Sequence, residues 1–178
     1  MNDRFQKYFD RIETDRKRLL TSLVPLTEAQ RNASSNGKWS INQIIAHLLT
    51  AERLSLVYMK KKSLGVEQLD NSGVLEELKM LLLKFSQRVP AFRFKAPTSL
   101  VNSTPTRLQF DDLITKWDDA RADLRKFLEA IPQQHVRKKI YKHHIAGRLD
   151  AAQAVCFLGE HFHHHMPQVR RILKSVHS

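Results

Sequence analysis

At 178 residues the chain can bury one sizeable core, and 42% hydrophobic with 27% charged residues is the composition of a folded globular protein, which excludes global disorder. No apolar run reaches the roughly 18 residues of a membrane span, the opening MNDRFQKYFDRIE lacks the apolar stretch of a leader, and the single Cys156 excludes an internal disulfide, so the expected setting is the cytoplasm with no membrane partner. The net charge of +12 is concentrated in two acid-free stretches, residues 79–110 and 132–149, the second carrying Arg137, Lys138, Lys139, Lys142 and Arg148. Such charge attracts polyanions and small anionic substrates. No helix-turn-helix, zinc-knuckle or RNA-motif pattern accompanies it, so nucleic acid stands as an alternative partner and a small molecule comes first.

In chain order, residues 3–23 place Phe5, Tyr8, Phe9, Ile12, Leu19, Leu20 and Leu23 on a helical stripe. A polar connection follows, with room for one short helical turn between Pro25 and Gly37. Ser40 is an N-cap residue, and Gln43 three positions on completes a capping box. The helix it opens runs to about Lys61 through Ile41, Ile44, Ile45, Leu48, Leu49, Leu54 and Val57. Residues 63–73 read as loop and 74–89 as a shorter helix. Pro90, Pro97 and Pro105 predict an extended basic connection over residues 90–108. Residues 109–130 form a further long helix, opening on Asp111 and Asp112 as the helix dipole favours and stopped by Pro132. A last helix begins near Asp150, behind Gly147, and continues to about Lys174. The pattern predicts an all-α fold, one domain over residues 1–178: an antiparallel bundle of four long helices with one additional shorter helix.

The chemistry is concentrated in Leu158-Gly-Glu-His161-Phe-His163-His164-His165-Met-Pro-Gln168. His161 and His165 lie four residues apart, about 40° of rotation and roughly 6 Å of rise on a helix, so both imidazoles project from one face. That is half of a transition-metal site. His47 is the candidate third ligand, because it is the only histidine in the first three-quarters of the chain and it interrupts an apolar helical stripe. At 100° per residue His163 points about 200° away from His161 and should face outward or towards a second subunit, while His164 lies about 60° to the side, placed to support the pair or substitute for a ligand. His143 and His144 read as loop or rim positions. Cys156 reads as a buried filler, Glu52 as the partner of a surface cation, and Glu160 as poorly placed for catalysis. No catalytic side chain is identified, since no carboxylate is an evident general base.

These residues carry a resemblance. Gly37-Lys-Trp39-Ser40-Ile41, followed by Ala46-His47-Leu and Glu52, resembles the opening of the second helix in the DinB-like superfamily, the YfiT-related proteins. The closing stretch resembles that family's last helix, whose pattern is His, three residues, His, two residues, Gln. The resemblance implies a four-helix bundle, commonly a homodimer, holding one divalent metal ion on His47, His161 and His165, with zinc first by availability and ligand type and nickel, iron or manganese as alternatives. It also implies candidate activities: thiol-dependent S-transfer with a low-molecular-weight thiol as cosubstrate, or a maleylpyruvate isomerase type; an ion that lowers the pKa of a bound water adds hydrolysis. Pro167 departs from the family pattern, which often has glycine there; it removes one helical hydrogen bond, to the His163 carbonyl, and predicts a kink just past the site. The expected function is a metal-dependent transferase or hydrolase acting on an anionic small molecule. The alternatives are a metal-binding module without turnover and a nucleic-acid-associated protein.

Overall fold

The stripe of the first segment forms α1, Asp3–Leu23, capped by the Asn2 side chain accepting from the Arg4 N–H. A five-residue α2, Glu28–Asn32, follows, with Thr27 and Gln30 closing a capping box. Ser40 and Gln43 make the same reciprocal bonds at the start of α3, Ile41–Ser63, which fixes where that helix begins and therefore where His47 stands. The shorter α4 spans Val74–Arg88, α5 Phe110–Glu129 and α6 Ala151–Val176. This computed structural model describes residues 1–34, 38–88, 109–143 and 145–176. The expected extended connection over residues 90–108 and the rim position His144 lie outside the described residues.

The four long helices close a ring of contacts: α1 on α6, α6 on α3, α3 on α5 and α5 on α1. Two core layers show how they run. One layer joins Leu19, Leu20 and Leu23 to Ile41–Leu49 positions, to Phe110, Leu113 and Trp117, and to Phe162 and Val169. The other joins Phe5, Phe9 and Ile12 to Leu56 and Met59, to Leu124 and Leu128, and to Val155 and Leu158. The start of α3 and α5 therefore meets the end of α1 and α6, so two helices point one way and two the other. α4 lies outside this ring, on α6, where Met80 and Leu83 pack with Leu149 and Cys156. The fold is all-α in its bulk, with the four long helices and the added shorter one that the apolar periodicity predicts.

One element escaped the periodicity. Tyr141–His143 and Gly147–Leu149 form an antiparallel two-stranded hairpin, β1 and β2, in register Tyr141 to Leu149, Lys142 to Arg148 and His143 to Gly147. Gly147 sits at φ 77°, a conformation that glycine adopts without steric cost. The His143 Nδ1 accepts the Ile145 and Ala146 N–H groups at 3.2 and 3.1 Å and holds the turn. His143 is thus buried and structural, not a surface loop residue. Strands of three residues are too short to show a period of two. No described helix is long and apolar enough to cross a membrane.

A buried polar core lies beside α5. Glu52, expected to pair with a surface cation, is instead 2% exposed, ion-paired to the Arg121 Nε at 2.9 Å and accepting the Trp117 indole N–H at 3.0 Å. Five residues past His47 is 140° round the helix, which turns Glu52 into the bundle towards α5 and not out to solvent.

Candidate metal centre

His47 is seven positions into α3, and His161 and His165 occupy successive turns of α6. Because α3 and α6 pack side by side in opposite senses, the three imidazoles converge. One ring nitrogen from each lies within 4.8 Å of the others. The His47 and His161 Nε2 atoms are 3.2 Å apart. Two nitrogens bound at about 2.0–2.1 Å to one tetrahedral ion would lie roughly 3.3 Å apart, so this edge already has the length a shared ion requires. The His165 Nδ1 faces the Gln168 Oε1 at 3.3 Å, one turn further along α6. A carboxamide on one ring nitrogen fixes the orientation of the ring and leaves Nε2 to the cluster.

The environment keeps these rings neutral. Burial alone pushes the His47 imidazole down to about 4. Burial, assisted by the neighbouring His47, takes His165 to about 4 as well. Burial and then the surrounding imidazoles hold His161 well below the ordinary histidine value. Neutral imidazole is the form that binds a metal. The His47 Nδ1 is buried with no hydrogen-bond partner. A cluster of three unprotonated nitrogen donors, two buried and one half-buried, is costly as a packing element and suits a divalent transition metal.

Aromatic rings wall the cluster. Trp39, just ahead of the α3 cap, packs 4.7 Å from His47 and stacks on His165 at 6.1 Å between ring centroids. Phe157, one turn before His161, stacks on it at 5.8 Å. Neither ring stands out as a site residue in the sequence. The available signal for Trp39 was its place in the Trp39-Ser40-Ile41 motif immediately before the helix cap.

The other candidates fall elsewhere. His164 packs edge-on against His165 at 5.4 Å, beside the three and not among them. His163 does turn away from the cluster, and it reaches α1, where its Nε2 lies 3.0 Å from Asp15 Oδ2. Glu160 is buried and ion-paired to Arg11 at 3.7 Å. Cys156 is buried as a filler, with burial pushing its thiol up. Pro167 lies inside α6, which continues past it to Val176. Of the basic residues, Arg137 pairs with Glu77 at 3.6 Å and the Lys138 ammonium donates to the Glu67 and Leu69 carbonyls, whereas Lys142 and Arg148 face a cavity beside the hairpin.

Neither a protein of curated function nor a solved structure matches the chain. The family model of the DinB superfamily matches residues 11–169, which include His47, His161 and His165 and all four long helices in large part. The chain belongs to the DinB superfamily.

Proposed function

We propose that the protein is a metal-dependent enzyme whose His47, His161 and His165 hold one divalent transition metal ion, zinc by donor type with nickel as the alternative, and that it catalyses S-transfer from a small thiol or a hydrolysis. The observation that carries this reading is the convergence of three imidazole nitrogens within 4.8 Å of one another, from two helices, with His47 and His165 buried and His161 half-buried. Three protein ligands leave at least one coordination position open, the arrangement of catalytic rather than closed structural sites. An ion so held supplies the Lewis acidity that yields a nucleophile from water or a thiol near neutral pH.

The residues of the chain contribute the rest. Gln168 orients His165, while Trp39 and Phe157 exclude water from two sides and leave the approach along half-buried His161. Glu52 and Glu160, engaged by Arg121 and Arg11, hold their positions as framework and take no proton from a substrate. Proton handling at the site falls to the imidazoles beside the cluster or to solvent. Homodimerisation belongs to the same proposal: Leu75, Leu78, Leu81, Leu82 and Phe85 put an exposed apolar row along α4, more than a monomer usually leaves in water.

Metal content per chain tests the reading. Untagged protein reconstituted with zinc or nickel is expected to retain near one ion per chain, and His165→Ala to lose it. Wild-type protein that retains no ion after reconstitution with either metal would overturn both the catalytic and the non-catalytic metal readings.

A further inference from the structure

The cavity beside the hairpin, of about 170 Å³, lies between α3 and the strands and is lined chiefly by Tyr58, Lys62, Lys139, Tyr141, Lys142 and Arg148. Four cations face it, and one carboxylate answers them: Glu76, which holds the Lys139 ammonium at 3.1 Å. Lys62, Lys142 and Arg148 have no ion pair among the described residues; Lys62 instead lies over the Tyr58 ring at 6.0 Å. Lys142 and Arg148 are also directly opposed in the hairpin register. Like charges placed opposite each other across a strand pair destabilise it. Folding alone gives no reason for that arrangement. A bound anion does.

The walls are aromatic. Tyr58 and Tyr141 meet edge to face at 6.0 Å, and the Tyr141 hydroxyl is anchored to the Ser55 hydroxyl at 3.1 Å, so the ring position is set from α3. We propose that this cavity binds the phosphate-type dianion of a small molecule, the Arg148 guanidinium and the Lys62 and Lys142 ammonium groups enclosing the anion and the two tyrosine rings facing its organic part. A dianion matches three uncompensated cations better than a single carboxylate, and guanidinium geometry suits tetrahedral oxyanions.

The cavity is distinct from the three-histidine cluster but connected to it. Tyr141 stacks on Phe157 at 6.3 Å, and Phe157 on His161 at 5.8 Å. The two sites therefore share a wall of packed rings, through which occupancy of one can be felt at the other. Anion binding stands without the metal reading; only coupling between the two sites rests on it.

Isothermal titration of the full chain, at fixed ionic strength, with inorganic phosphate and with phenyl phosphate tests the proposal. Saturable binding at one site per chain is expected. The double substitution Lys142→Gln with Arg148→Gln should weaken it at least about ten-fold, as loss of charge-assisted hydrogen bonds does. Both side chains are exposed, and their removal relieves a repulsion, so the variant should keep the thermal midpoint of the wild type or exceed it. Arg170→Gln with Arg171→Gln, the same charge change on exposed positions of α6, should leave binding unaltered. His165→Ala should lose metal and keep phosphate affinity, which separates failure of the metal reading from failure of this one. Tighter binding of phenyl phosphate assigns the site to an organic phosphomonoester; equal affinity assigns it to the inorganic anion. Absence of saturable binding, an equal loss in the Arg170/Arg171 variant, or binding confined to a single-stranded oligonucleotide with a steep salt dependence would each overturn the proposal.

Discussion

His47 and His165 are neutral in the fold down to about 4 because burial penalises their charged forms, whereas a free imidazole protonates near 6.5. Between those values the unfolded chain binds more protons than the folded one, so stability falls as pH falls through this window and is unaffected by these groups above it. Metal-free protein, prepared with a chelator, should therefore lose stability from pH 7 to pH 4, by roughly 3 kcal/mol for each ring at the acid end. Urea unfolding at a series of pH values, beside a His47→Phe variant with a shallower dependence, measures it. Glu52 makes a second prediction at this scale. Its removal would leave the buried Arg121 guanidinium without its counter-charge, so Glu52→Ala should cost about 3–5 kcal/mol. Glu52→Gln, which retains an acceptor for the Trp117 N–H, should cost less. An Ala variant as stable as wild type would show that the pair is not what holds α3 to α5.

Two places on the helices decide how accurately the histidines are presented. The Ser40 and Gln43 capping box sets the first turn of α3, two turns before His47. Ser40→Ala should cost about 1 kcal/mol in denaturant unfolding and lower metal affinity without removing a ligand. On α6, Gly159 lies two residues before His161, and a Cβ there would stand 3.0 Å from the Ile12 Cγ2. The absent side chain lets α6 approach α1 closely. Gly159→Leu should destabilise by about 1–3 kcal/mol through overpacking, and combined with Ile12→Ala it should cost less than the sum of the two single changes. Additive costs in this pair would argue that the helices do not meet at that point.

At the scale of the molecule, the apolar row on α4 and the cavity beside the hairpin lie outside the four-helix ring, and both await partners in the proposals made above. For the row the partner is a second copy of the chain. Sedimentation velocity is expected to show a dimer, with Leu78→Glu and Leu82→Glu together shifting it to monomer while metal content is retained. A wild-type monomer across micromolar concentrations would end that reading.

The helices were legible because apolar residues recur at 3.6-residue spacing and because Ser40 with Gln43 and Pro132 mark where two of them start and stop. His161 and His165 were legible as a pair for the same reason, since four residues on a helix share a face whatever the fold around them. Membership of the DinB superfamily could likewise be read as a resemblance from the Trp39-Ser40-Ile41, Ala46-His47 and His161 to Gln168 motifs. Everything that depends on a neighbour from another helix was not. The inward turn of Glu52 depends on Arg121 sitting 69 positions away along the chain, and the roles of Trp39 and Phe157 depend on where α3 and α6 cross. The opposition of Lys142 and Arg148 depends on a hairpin too short to leave a periodic trace. Local spacing fixes which side of a helix a residue occupies; only packing decides what that side faces.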